Sequence, residues 1–284
     1  MTLLFEDVTK RFGALVAIDK VSIAFEPGLI YSIIGPNGAG KSTLINMCAG
    51  SYRVSEGRIR LDGVELQALE KYQIAQHGIA RTYQNIRLFD GMTVLQNLEV
   101  CLFPELFGRT LAEVFLPGAA RRMKDERTER CLLVLARFGL AALADEMAAD
   151  LSYGNQKLLE IARATVLAPK VLMLDEPAAG LNHGETDRLK EKLRELARPD
   201  LTMIIVEHDM SLVMALSDHI VVLHQGRLLF EGTPAEVQAN LAVQEAYLGS
   251  PGEVDGIREA ARSRANRVRI RADADIERRR PAAL

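Results

Sequence analysis

The sequence predicts an α/β fold in which a strand-rich first part, a helical insertion and a second α/β part share one core. Three observations predict it. Short apolar or alternating runs occupy residues 3–8, 21–25, 30–34 and 58–61, and similar runs return at 171–174, 201–206 and 219–223. A glycine-rich loop, Gly35-Pro36-Asn37-Gly38-Ala39-Gly40-Lys41-Ser42, follows the third run directly. Between two of the later runs, Leu189, Leu193 and Leu196 form a stripe spaced i, i+4, i+7, as on a helix that covers a sheet.

In chain order, the Pro27-Gly28 pair turns the chain before the third strand, and Asp62-Gly63 turns it after the fourth. The run 30–34 is a buried strand that ends at the glycine-rich loop, and a helix starts at about Lys41. From Met92 to about Arg137 the pattern becomes helical and charged. The charged run 121–127 in its middle reads as a solvated helix face. A helix over 157–166 follows Leu151-Ser152-Tyr153-Gly154-Asn155-Gln156. After Gly249 the composition changes: residues 251–284 hold nine Arg, six acids and no aromatic. That tail reads as solvated, with contact to anionic lipid as the second reading.

Overall composition excludes several classes. Apolar content of 48%, charged content of 26% and a net charge of −3 give no general pull toward nucleic acid or lipid. No apolar stretch approaches the roughly 20 residues that span a bilayer. The first residues lack the basic flank and apolar core of a signal peptide. Cys48, Cys101 and Cys131 have neither disulfide-framework nor zinc spacing, which points to a reducing cytosol.

The loop carries the chemistry. It has the pattern G-x-x-x-x-G-K-[ST] between a strand and a helix, so its amides and the helix N-terminus aim partial positive charge at a β-phosphate. Gly35, Gly38 and Gly40 give the backbone the freedom this requires. Lys41 adds a full charge toward the β- and γ-phosphates, and the Ser42 hydroxyl, followed by Thr43, is placed to hold Mg²⁺. The chain is therefore expected to bind a nucleoside triphosphate.

Further residues acquire meaning beside that loop. Val171-Leu172-Met173-Leu174-Asp175-Glu176-Pro177 reads as a buried strand delivering two carboxylates to its end. Asp175 can join the Mg²⁺ shell, and Glu176 can polarise the attacking water. His208, after the run 201–206, would alone be structural; near a nucleotide it can bridge the γ-phosphate and that water. Gln84, in Arg81-Thr82-Tyr83-Gln84-Asn85, would alone be an ordinary surface glutamine. Ser152 and Gly154 at a helix start make a second anion site. One chain has no need of two phosphate cradles for one nucleotide. A head-to-tail dimer, each chain closing over its partner's γ-phosphate, accounts for both.

Over residues 1–250 the chain resembles the ATP-binding subunits of ABC transporters, whose elements it carries in order. These are Walker A at 35–42, Q-loop Gln84, signature 151–156, Walker B 171–176, D-loop Ala179-Gly180-Leu181-Asn182 and switch His208. Phe12 matches the aromatic that stacks on adenine. The resemblance implies a P-loop NTPase (RecA-like) core with an N-terminal antiparallel β subdomain and a helical subdomain inserted at about 87–156. It also implies ATP and Mg²⁺ as cofactors, with Ser42, Gln84 and Asp175 at the metal. Implied partners are membrane permease subunits, a second ATP-binding subunit in a homo- or heterodimer and, indirectly, an external substrate-binding protein. The place implied is the cytoplasmic face of the cell membrane.

Three stretches are similar to the LivG type of branched-chain amino acid importer: residues 79–89, residues 175–182 and the ending Ala246-Tyr247-Leu248-Gly249. The insertion between Pro104 and Pro117 suits that subgroup. Tyr153 stands where the general signature has its first glycine, Asn155 where Gln is usual, and Asn182 where the D-loop has an acid. These departures bear on cross-dimer signalling. The tail after Gly249 has no counterpart. Transport of urea, amides or lipopolysaccharide on the same scaffold is the neighbouring alternative. Nucleic-acid action would rest on the Arg-rich tail alone, which lacks stacking aromatics, so no nucleic-acid partner is expected.

Overall fold

The computed structural model describes residues 2–102 and 117–247. The chain opens with β1 (Leu3–Phe12) and β2 (Leu15–Phe25), an antiparallel pair in which Phe12 faces Leu15 across a turn at Gly13. β3 (Ile30–Ile34), the glycine-rich loop and α1 (Lys41–Cys48) follow, then β4 (Glu56–Leu61) and β5 (Val64–Glu65). β2, β1, β4 and β5 form an antiparallel sheet in that order. In β2, Val21, Ile23 and Phe25 are buried while the residues between them are exposed, the period-2 pattern of a sheet with one wet face.

After α2 (Lys71–Gln76) and β6 (Ile79–Arg81), the chain leaves the sheet for α3 (Val94–Glu99), α4 (Pro117–Phe138) and α5 (Tyr153–Thr165). It returns as β7 (Val171–Asp175), α6 (His183–Leu196), β8 (Thr202–Val206), α7 (Met210–Leu216), β9 (His219–His224) and β10 (Arg227–Gly232). α8 (Pro234–Ala239) and α9 (Leu241–Tyr247) close the described part. The second sheet has the order β10-β9-β3-β8-β7-β6, parallel throughout except for β10.

β3, β7 and β8 are buried along their whole length, as central parallel strands covered on both faces must be. Alternation decides which core each residue joins. Ile33, Met173, Ile204 and Val206 face α1 and the antiparallel sheet. Leu172, Leu174, Met203 and Ile205 face α5 and the Leu189, Leu193, Leu196 stripe of α6. Edge-to-face pairs carry the first core across the two sheets: Phe5 on Phe25 at 5.8 Å between ring centres, and Phe25 on Tyr31 at 4.9 Å.

The expected strands and the helix at Lys41 are present. The helix expected at 157–166 starts earlier, at Tyr153, because Ser152 caps it by accepting the Asn155 N–H at 3.4 Å. Residues 153–156 are thus its first turn rather than a loop before it. The tail 251–284 and nearly all of the insertion between Pro104 and Pro117 lie outside the described residues. Among the described residues, no helix is long and apolar enough to cross a membrane.

Candidate nucleotide site

β3, β8, β7 and β6 are consecutive parallel strands, so the segments that leave their C-terminal ends share one edge of the sheet. The glycine-rich loop leaves β3, Glu207-His208-Asp209 leaves β8, Asp175-Glu176 ends β7, and Thr82-Tyr83-Gln84 leaves β6. Ligands of open parallel sheets bind at that edge.

The loop itself needs glycine. Gly40 has φ 101, and a Cβ there would meet Ile18 Cδ1 at 2.5 Å and the Ala17 carbonyl oxygen at 2.8 Å. At Gly35 a Cβ would run into the Leu223 carbonyl oxygen. Ala39 is buried, its N–H donating to Pro36 at 3.1 Å and its carbonyl accepting from Gly226 at 3.1 Å, while Asn37 and Gly38 are exposed. Lys41 Nζ lies back across the loop, donating to the Gly35 carbonyl at 2.6 Å and the Pro36 carbonyl at 3.2 Å. Ser42 is exposed and Thr43 half-buried in the first turn of α1.

Asp175 is buried between strands. Its N–H donates to Thr82 Oγ1 at 3.3 Å, and its Oδ2 lies 3.6 Å from Arg81 Nη2. Burial pushes its carboxyl up from the ordinary range, against the pull of the Arg81 charge. Arg81 also donates to Asn46 of α1 at 2.7 Å, so one guanidinium ties β6, β7 and the phosphate-loop helix together. Glu176 follows with φ 48, a left-handed conformation that costs a side chain about 1–3 kcal/mol. Its N–H donates to the Val206 carbonyl at 2.9 Å, and its Oε2 accepts from Gln84 Nε2 at 3.0 Å.

Sequence reasoning passed over Glu207, which is 2% exposed. Its carboxylate accepts the N–H groups of Ala178 at 2.8 Å, His208 at 3.1 Å and Asp209 at 3.4 Å, fixing the turns after β7 and β8 together. Burial raises its pKa, and these three donors oppose the rise. An acid closing a fully apolar strand was the available signal. His208 is exposed, with Nδ1 3.9 Å from Glu207 Oε2, and it stands at the same edge as Glu176. Phe12 lies at the end of β1, exposed and edge-on to Tyr52 at 5.2 Å, with Lys10 Nζ 4.7 Å from its ring centre. Tyr52 is a further addition to the sequence-based set.

The 151–156 segment gathers on its own chain's 179–188. Tyr153 donates its hydroxyl to the Ala179 carbonyl at 3.2 Å. A Cβ at Gly154 would strike Glu185 Oε1 at 2.5 Å. Asn155 Oδ1 accepts from Arg188 Nη1 at 3.0 Å, and Gln156 Nε2 donates to the Ala148 carbonyl at 3.2 Å. Asn182 caps α6, accepting from the Glu185 N–H at 3.0 Å while Glu185 Oε2 accepts the Asn182 N–H at 3.0 Å. The three positions that depart from the common pattern, Tyr153, Asn155 and Asn182, therefore meet in one patch.

Ser42, Gln84 and Asp175 offer only oxygen donors once Gln84 gives its nitrogen to Glu176. That set suits Mg²⁺, and the raised pKa of the buried Asp175 is what a nearby cation would relieve.

The family described as ABC transporter matches residues 18–179, and a branched-chain amino acid ATP-binding cassette transporter family matches residues 227–253. The high-affinity branched-chain amino acid transport ATP-binding protein BraF of Pseudomonas aeruginosa is 46% identical over 243 residues, 85% of this chain and 95% of that protein. The corresponding protein LivG of Escherichia coli is 44% identical over 240 residues, 84% of this chain and 94% of its own length. Among solved structures, the ADP conformation of an ATP-binding cassette from an ABC transporter is 33% identical and has a TM-score of 0.76. It covers 88% of this chain and all of that one, at 100%.

Proposed function

The chain belongs to the ABC transporter family, and on that premise we propose that it is the ATP-hydrolysing motor subunit of a branched-chain amino acid importer. Membership makes it an ATP-binding subunit that works with membrane permease components. The observation that carries the finer reading is that four consecutive strands present loop, acids, glutamine and histidine at one edge, in a chain 46% identical to BraF.

In this reading, residues 1–250 form the cassette, with the helical part at about 87–156 inserted in it, and 251–284 form a separate tail. Phe12 stacks on adenine, held edge-on by Tyr52. Loop amides of residues 35–43 take the phosphates, and Lys41 exchanges the Gly35 and Pro36 carbonyls for phosphate oxygens. Ser42, Gln84 and Asp175 hold Mg²⁺, which when bound neutralises charge on the phosphate oxygens. Glu176 takes the proton of the attacking water, and His208 steadies that water against the γ-phosphate. Gln84 restrains the Glu176 carboxylate until nucleotide and water compete for it.

Ser152, Tyr153, Gly154, Asn155 and Gln156 act on the nucleotide of a second ATP-binding subunit, alike or related. Asn182, beside that patch, conveys the state of one site to the other. Closure of the pair moves permease subunits at the cytoplasmic face of the membrane through the helical part. An external binding protein supplies the substrate.

Affinity capture of this subunit from detergent-solubilised native membranes, followed by mass spectrometry, tests the proposal. Two polytopic permeases and a second ATPase are expected, with a cognate binding protein that takes leucine, isoleucine or valine in preference to urea and amides. Recovery of nucleic acid or ribosomal proteins without a membrane partner would overturn it.

A further inference from the structure

Lys157 and Glu160, one turn apart on α5, are 1% and 3% exposed, yet both belong to a charged class that is seldom fully buried. No step of the reaction uses them. Both reach the same short segment. Lys157 Nζ donates to the Gln84 carbonyl at 3.2 Å. Glu160 Oε1 accepts the Tyr83 N–H at 3.5 Å, and the Arg87 N–H also acts on the Glu160 carboxyl. The pair therefore grips the backbone of residues 83–87 at a carbonyl and at two amides, one donor and one acceptor from a single helix face.

That segment is further stiffened by Tyr83, whose ring is packed by the guanidinium groups of Arg81 and Arg87, each 4.5 Å from its centre. Its side chain Gln84 holds Glu176. The N-terminus of the same α5 carries Ser152 and Gly154. A rigid helix thus joins, along about two turns, the face offered to a partner's nucleotide and the residue that restrains this chain's own carboxylate. Burying two ions costs folding energy that apolar residues of similar size would not, so packing alone gives no reason to keep them.

We propose that Lys157 and Glu160 are positioning residues that transmit the placement of α5 to Gln84, so that turnover in one site follows engagement of the signature at the other. The inference rests on the nucleotide-site reading above. Loss of the clamp leaves the phosphate loop untouched, and so leaves nucleotide affinity without Mg²⁺ untouched, while Glu176 loses its coordinated release.

The test compares the full chain with Lys157→Met, Lys157→Arg, Glu160→Gln and the Met/Gln double variant. Binding of a fluorescent ATP analogue, steady-state ATP turnover and the thermal unfolding midpoint are measured for each. Lys157→Met is expected to lower kcat about tenfold or more, with affinity for the analogue measured without Mg²⁺ within about twofold, and the double variant, which removes both charges, to keep or raise the unfolding midpoint. Lys157→Arg restores most of the turnover. The double variant loses no more than the worse single one, as residues acting as a unit do. Unchanged kcat in both single variants overturns the proposal. So does an analogue affinity without Mg²⁺ that falls in step with the loss, or an unfolding midpoint of the double variant that falls in step with it. Failure of the unsubstituted chain to bind the analogue overturns the underlying nucleotide-site reading instead.

Discussion

Gln84 Nε2 donates to Glu176 Oε2 at 3.0 Å, joining two residues 92 positions apart. The bond holds the proposed general base by a side chain that is itself anchored through its backbone to α5. A contact of this kind makes the position of the base depend on where the helical part sits, and several consequences can be measured.

Gln84→Ala frees the Glu176 carboxylate from its restraint and removes one metal-side oxygen. ATP affinity measured without Mg²⁺ is expected to stay within about threefold, while kcat with Mg²⁺ falls roughly tenfold. Equal turnover in the variant would detach Gln84 from catalysis.

Glu207→Gln places an amide NH₂ against N–H donors that the carboxylate now accepts. The substitution should cost about 1–3 kcal/mol in urea unfolding. The pH dependence has a definite sign. Burial raises the Glu207 pKa, so the folded chain holds this proton more tightly than the unfolded one. Its contribution to stability therefore falls as pH rises from the ordinary carboxylate range through the raised value. The variant, with nothing to titrate, should flatten that part of the stability–pH curve.

Asn182→Ala removes the side chain that caps α6 and keeps only the bond from its own N–H to Glu185, at a cost of about 1 kcal/mol. Asn182→Asp keeps the acceptor and adds a charge that the helix N-terminus favours, so its stability should equal or exceed that of the original chain. Denaturant midpoints of the two variants check the order; Asp falling below Ala would remove the capping account.

Cys48 is buried in α1, and burial pushes its thiol up to about 12, with the Arg81 charge pulling the other way. At pH 8 roughly one molecule in ten thousand carries the thiolate, which is the reactive form. Iodoacetamide should therefore modify Cys48 only through opening of the fold, orders of magnitude more slowly than in urea. Peptide mapping of alkylated protein gives the rate.

Much of this architecture was legible because it is written in local chemistry. The run 30–34 followed by Gly35 to Ser42 carries its strand, turn and helix in adjacent residues, and all three are present. Asp175 and Glu176 announced themselves as acids closing an apolar run. The extended α5 was missed because its first turn is built from Tyr153, Gly154 and Asn155, which have weak helix propensity and are held by Ser152 and α6 instead. β6 was missed for a related reason: three residues carry no period, and only pairing with β7 makes Ile79–Arg81 a strand. Arg81, Lys157 and Glu160 matter through partners distant in sequence, so nothing beside them in the chain could reveal their roles. Glu207 had a local signal as an acid closing an apolar strand, but its bond to Ala178 is equally distant. The patch joining Tyr153, Asn155 and Asn182 belongs to the same class. Each residue looked like a separate departure, and folding brings them together.

The most direct test of the central claim is Glu176→Gln in the full chain, with nucleotide binding and steady-state hydrolysis measured on the same preparation. The account predicts that binding of ATP is kept while hydrolysis falls at least about 100-fold, since the variant keeps the shape of the site and loses its base. Near-normal turnover in that variant, with its partner subunits present, would contradict the account and remove Glu176 from the chemistry.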